Sequence, residues 1–170
     1  SEKNTINISG KYSTNKDNLL SFSLENIFDK DLLKLKLDID YKKPINLDFI
    51  NYKKPQDSVA TVSLNLEKKK NSIEIKKLNL IEKDNSILVE EINFNKNKFL
   101  SFKKIVVKTS KNGKKNNDFK ISYKKNISIK GSQFDASNLP KFLNQKMDKN
   151  NLRHINKNIE IDFTNIIAPL

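Results

Sequence analysis

Leu33-Lys34-Leu35-Lys36-Leu37-Asp38-Ile39-Asp40-Tyr41 puts an apolar side chain at every second position and a polar or charged one between. Successive side chains of a strand point to opposite faces, so a period of two predicts a strand with one dry face and one wet face. Helical spacing does not fit it. The same alternation recurs to either side in Ile6-Asn7-Ile8, Ile45-Asn46-Leu47-Asp48-Phe49, Val62-Ser63-Leu64-Asn65-Leu66, Phe119-Lys120-Ile121-Ser122-Tyr123, Ile127-Ser128-Ile129 and Ile159-Glu160-Ile161-Asp162-Phe163. Short polar breaks such as Lys42-Lys43-Pro44, Lys53-Lys54-Pro55-Gln56-Asp57, Lys83-Asp84-Asn85 and Lys111-Asn112-Gly113-Lys114 separate these runs. Connections this short join antiparallel neighbours, which predicts a meander.

Three consecutive segments share one pattern, apolar-x-apolar-charged-charged-apolar-x-apolar. They are Ile73-Glu74-Ile75-Lys76-Lys77-Leu78-Asn79-Leu80, Ile87-Leu88-Val89-Glu90-Glu91-Ile92-Asn93-Phe94 and Leu100-Ser101-Phe102-Lys103-Lys104-Ile105-Val106-Val107. In each, the charged pair breaks alternation by one residue, which a β-bulge absorbs while returning the next apolar side chain to the same face. The recurring offset predicts a line of bulges that bends the whole sheet. Because the middle copy carries Glu90-Glu91 where the others carry Lys-Lys, the identity of this doublet reads as unconstrained.

After Gly131 the pattern changes. Phe134-Asp135-Ala136-Ser137-Asn138-Leu139-Pro140 supplies candidate N-caps, and Leu139, Phe142, Leu143 and Met147 form one stripe of a short amphipathic helix near 138–147. The expected organisation is a repetitive one-sided meander over 1–131, a helix and polar connection over 132–157, and the start of a further strand region over 158–170. With no initiator Met and an apolar end at Ile167-Ala168-Pro169-Leu170, the chain reads as a piece of a larger protein.

The 170 residues are 36% hydrophobic, enough for one thin core, and no apolar run approaches the roughly 20 residues that span a bilayer, so the piece itself is expected to be soluble. The net charge of +13 would ordinarily suggest a polyanion partner. However, the 33 basic residues include a single arginine, Arg153, and they accompany 25 Asn and 20 Ile. That is the vocabulary of an AT-rich genome, and it reads as compositional drift. Without cysteine there are no disulfides, thiolate metal sites or Cys nucleophiles.

About ten one-sided strands present far more apolar face than one short helix covers. The sheet must pack as a sandwich, close as a barrel, or curl into an open groove whose floor a ligand covers. The bulge line and unbroken meander favour the groove. A membrane barrel is disfavoured because there is no Trp and the four Tyr form no girdle. In the groove reading the floor consists of Leu35, Leu37 and Ile39, then Val62, Leu64 and Leu66, then Ile75 and Leu78, Val89 and Ile92, Phe102 and Ile105, and Ile121. Each acyl CH₂ sheltered there gains roughly 0.8 kcal/mol. Apolar contact has no direction, so such a floor holds lipid and lets it slide.

The Gly131-Ser132-Gln133-Phe134-Asp135-Ala136-Ser137-Asn138-Leu139 stretch, with one-sided strands before it and Ile159-Glu160-Ile161-Asp162-Phe163 after it, resembles the C-terminal region of AsmA-like, YhdP-type envelope proteins over about 40 residues. Gly131, Phe134, Asp135 and Leu139 carry the motif. The resemblance implies a Gram-negative protein at the periplasmic face of the inner membrane. A helix outside this chain would anchor it there, and its β-groove would conduct phospholipids toward the outer membrane. The expected partners are phospholipid acyl chains and, through the parent's anchor, the membrane; no nucleic acid, cofactor or metal is expected.

Catalytic constellations are not evident. His154 stands alone in a polar stretch, and Gly only at 10, 113 and 131 allows no phosphate-cradling loop. Asp38/Asp40 and Glu160/Asp162 read as solvated wet-face pairs, and Asp135 as a helix cap. The chain is therefore not expected to be an enzyme. The competing readings are a structural β-scaffold or adhesin-like repeat with a dry core, and a Lys-rich polyanion-binding module.

Overall fold

The computed structural model describes residues 3–14, 18–144 and 157–169, with 142–144 by backbone alone. Met147, Arg153 and His154 lie outside the described residues, as does the end of the expected helix. Alternation becomes strand in each run quoted above except at Asp48-Phe49, in the elements β1 (Asn4–Tyr12), β2 (Leu20–Phe28), β3 (Leu32–Tyr41), β4 (Ile45–Leu47), β5 (Tyr52–Lys54), β6 (Ala60–Lys69), β7 (Ser72–Glu82), β8 (Asn85–Asn95), β9 (Lys98–Ser101), β10 (Lys104–Lys111), β11 (Lys114–Tyr123), β12 (Ile127–Asp135) and β13 (Ile159–Ile167). One short helix, α1, spans Leu139–Asn144, and a 3-10 turn spans Asp48–Ile50.

Eleven strands form one sheet in the order β1-β2-β3-β6-β7-β8-β10-β11-β12-β13, with β9 also on β8. The sheet is open, because β1 and β13 each pair with a single neighbour. β9 and β10 share one strand position, interrupted at Phe102-Lys103, so ten positions span the sheet.

Register aligns the apolar residues into rows. Ile8, Leu24, Leu37, Leu64, Leu78, Val89, Ile105, Ile121, Ile129 and Ile161 stand opposite one another in turn, one apolar residue from every strand position. A slip of one residue in any strand would turn its apolar set into water, so this row fixes the register.

The predicted bulge line is present. Pairing shifts between Asn65 and Leu66, Lys76 is skipped between Ile75 and Lys77, and Glu91 takes a positive φ of 53°. In the third copy the break is complete, and Leu100–Val107 divides into β9 and β10 instead of one bulged strand. Bulges add twist and bend the strands they interrupt. At the other side of the sheet the Tyr12 hydroxyl reaches over β2 to donate to the Asp40 carbonyl on β3.

Other expectations are corrected. Leu20–Phe28 is a full strand, although Asn26 interrupts its apolar phase. Ile45–Phe49 is not a strand of the main sheet: Ile45–Leu47 pairs with Tyr52–Lys54, residues assigned in part to a turn, in a separate hairpin. The strand count of about ten thus survives through one omission and one surplus. β13 runs parallel to β12, because the intervening connection is long enough for a crossover and carries α1. β12 continues through Gly131 to Asp135.

The core sits where the β4–β5 hairpin lies against the apolar face. Ile50 and Tyr52 pack with Val107 and Phe119, and Leu80, Ile87, Phe134 and Phe163 surround them. The cover expected of the helix comes mainly from this hairpin.

Candidate functional site

The residues expected to form the floor are alike in burial. Leu35, Leu37, Ile39, Val62, Leu64, Leu66, Ile75, Leu78, Val89, Ile92, Phe102, Ile105 and Ile121 are all half-buried, neither sealed in a core nor fully wet. Leu37, Leu64, Leu78 and Val89 stand opposite one another across the sheet, while Ile105 and Ile121 pack against the cluster of Ile50, Tyr52, Val107 and Phe119. Toward the sheet edges the same row grows wetter, with Ile8 48% and Ile161 64% exposed. Phe102 lies in the break between β9 and β10, where its ring meets Tyr123 at 5.2 Å and Phe99 at 6.3 Å. This aromatic group, with Lys157 Nζ 4.5 Å from the Tyr123 ring centroid, lies toward the Asn95 end of β8, while the hairpin packs near Ile87 at the other end. One polar group interrupts the floor: Asn26, opposite Ile6 and Leu35, has a buried Oδ1 with no hydrogen-bond donor.

The hairpin end is a polar plug built on Asn51, whose left-handed φ of 49° ends the 3-10 turn. Asn51 Nδ2 donates to Asp135 Oδ2 at 2.8 Å and to Ser137 Oγ at 2.9 Å. Asn116 Nδ2 donates to the same carboxylate at 3.1 Å, and the Ser137 N–H does so at 3.1 Å. Burial pushes the Asp135 carboxyl up, but the donors from Ser137, Asn116 and Asn51 outweigh it, and the group is held below the usual aspartate range. Asn117 Nδ2 donates to the Ile50 carbonyl at 2.7 Å and its Oδ1 accepts the Asp135 N–H at 2.9 Å, tying β11 to both hairpin and β12. Asp135 therefore does more than cap a helix.

Lys54, expected in a turn, is 1% exposed, and its ammonium donates to the carbonyls of Lys42, Lys43 and Pro55 at 2.8, 3.0 and 3.0 Å. Burial lowers its pKa, against the attraction of Glu82. Burial raises that of Tyr52, reinforced by the Glu82 carboxylate that its hydroxyl approaches at 3.5 Å.

The motif residues all have structural work. A Cβ on Gly131 would lie 2.3 Å from the Asp118 carbonyl oxygen and 2.5 Å from Phe119 Cβ, beside the register shift between those residues. Phe134 stacks on Phe163 with centroids 5.4 Å apart and meets Phe119 edge-on. Leu139 donates its N–H to the Ala136 carbonyl as α1 begins.

On the outer face some of the lysines are answered by carboxylates. Glu67, buried among Lys69, Lys76 and Lys34 at 2.5, 2.9 and 3.7 Å, is lowered to about 2 by the hydrogen bonds from Lys69 and Lys76. Glu91 binds Lys103 at 2.5 Å and Glu90 binds Lys104 at 3.0 Å. The acidic doublet is therefore constrained after all: it faces the basic doublet of the next copy. Asp38 accepts from Ser63 Oγ, Asp40 from Thr61 Oγ1, and Glu160 from Asn126 Nδ2. Among the described residues no group of three or more His, Asp or Glu converges to hold a metal ion, and no helix is long and apolar enough to cross a membrane.

No protein-family model matches the chain, and no curated protein or solved structure matches it either.

Proposed function

We propose that the chain is a segment of an open β-groove that shelters phospholipid acyl chains and lets them slide along its floor. The observation that carries this reading is the apolar row running through all ten strand positions, half-buried along its centre and more exposed at Ile8 and Ile161. An apolar surface of that extent marks a binding face in a folded protein. Its uniformity suits a flexible hydrocarbon chain better than a ligand recognised by placed polar groups. Acyl chains would lie along the floor and head groups would stay at the wet margins. The resemblance around Gly131–Leu139 supports placing this groove in a Gram-negative envelope protein, anchored in the inner membrane by its parent chain and passing phospholipid toward the outer membrane.

Against the polyanion reading, the chain holds a single arginine, Arg153, so the guanidinium groups that read bases are missing. Titrating the protein with a phospholipid labelled on its acyl chain tests the proposal. Saturable emission is expected, weakened at least about tenfold in a folded Leu37→Asp/Leu64→Asp variant, since two buried carboxylates oppose hydrocarbon contact. Equal binding by that variant, or none by the wild type, would contradict it.

A further inference from the structure

At the plugged end, outside the floor, a polar hollow of about 610 Å³ lies between three separate pieces of chain: β5 with its flanks, the β7–β8 turn and the β10–β11 turn. Asn51, Lys53 and Pro55 come from the first, Glu82 to Asn85 from the second, and Ser110 to Gly113 from the third. Asn85 holds the two turns at a fixed distance. Its Nδ2 donates to Glu82 Oε2 at 2.7 Å and its Oδ1 accepts the Ser110 N–H at 2.7 Å. The turns themselves are tight, with positive φ at Lys83, Asn112 and Gly113. The hollow is thus walled by constrained backbone.

Its charge is unbalanced. Lys53, Lys83 and Lys111 line it, and none of the three has an ion pair or side-chain hydrogen bond among the described residues. Of the two carboxylates in the lining, Glu82 is buried, bound by Asn85 and Tyr52, and faces the buried ammonium of Lys54. Asp84 alone is left against three cations, so the hollow keeps about two positive charges. Like charges lining one cavity raise the local concentration of an anion of matching size. Three lysines lining a space of this size suit the oxygens of a phosphate group with a small polar substituent.

We propose that this hollow binds a phosphate ester through Lys53, Lys83 and Lys111. The site stands on its own cations and does not require the groove to hold acyl chains. The test is calorimetric or NMR titration of the protein with inorganic phosphate, glycerol 3-phosphate and water-soluble dihexanoyl-phosphatidylglycerol. Two triple variants are compared, Lys53→Gln/Lys83→Gln/Lys111→Gln and an outer-face control of equal charge change, Lys108→Gln/Lys120→Gln/Lys130→Gln.

Saturable binding is expected for the wild type and the control, with at least about tenfold weakening in the hollow variant and weakening by salt. Binding of all three probes would assign the site to phosphate as such, and binding of the lipid probe alone would assign it to a head group. Absence of saturable binding by every probe would overturn the proposal. So would a hollow variant within twofold of wild type, or an equal loss in the outer-face control.

Discussion

An open floor and a closed core respond differently to losing the same methyl groups, and the two environments stand side by side in this sheet. Ile50, in the 3-10 turn of the hairpin, is 1% exposed, so Ile50→Ala forfeits the full transfer energy and leaves a cavity, a cost of about 2–5 kcal/mol. Leu64, at the centre of the apolar row, is packed by Leu37 and Leu78 on the adjoining strands and is only half-buried. In Leu64→Ala water occupies the vacated space and no cavity term arises, which leaves about 1 kcal/mol of partial transfer energy. With an m-value of roughly 2 kcal/mol/M, the two variants should differ in urea midpoint by about 0.5 M or more. Lipid-free protein is needed, and Val107→Ala, in the buried cluster, provides a second core reference. A Leu64→Ala loss as large as that of Ile50→Ala would mean that the floor is packed against something, and the open-groove reasoning would be refuted.

Gly131→Ala drives a methyl group into the Asp118 carbonyl and the Phe119 backbone, so a loss of about 1–3 kcal/mol in a denaturant melt is expected; a change under 0.5 kcal/mol would show that the bulge yields freely. Glu67 is held at about 2 against an ordinary value of 4.5, so its contribution is complete above the ordinary carboxylate range and fades as pH falls through about 2. Screening by three exposed lysines limits it to on the order of 1 kcal/mol, and Glu67→Gln should flatten the acid limb of the stability-versus-pH curve by that amount. Asn26→Leu removes an unsatisfied acceptor from the floor and should stabilise the fold by about 1 kcal/mol, a gain that thermal melts would deny if the variant unfolds earlier.

Period-two alternation was enough to read which side chains share the apolar face, because one side chain in two faces the same way whatever the loops do. The charged doublets likewise located the bulge line, since only an extra residue keeps Ile75 and Leu78 on one face. The hairpin was not legible: Ile45-Asn46-Leu47 alternates like any sheet strand, and only its contact with Val107 and Phe119, distant in sequence, decides where it packs. β2 was hidden because Asn26 breaks its apolar phase. The polar plug was hidden by composition. Among 25 asparagines, nothing local distinguishes Asn51, Asn116 and Asn117, which meet over Asp135, from those that face water. Lys54 was lost among lysines for the same reason. The sign of Glu90-Glu91 had its explanation one strand away in Lys103-Lys104, a relation that single-strand reading does not reach.

Native mass spectrometry of detergent-free protein, with extraction and identification of bound lipid, tests the groove most directly when run beside a Leu64→Asp/Phe102→Asp variant. The account predicts phospholipid copurifying with the wild type and absent from the variant, with both folded by circular dichroism. A folded wild type that carries no lipid and takes none up from added phospholipid would contradict it.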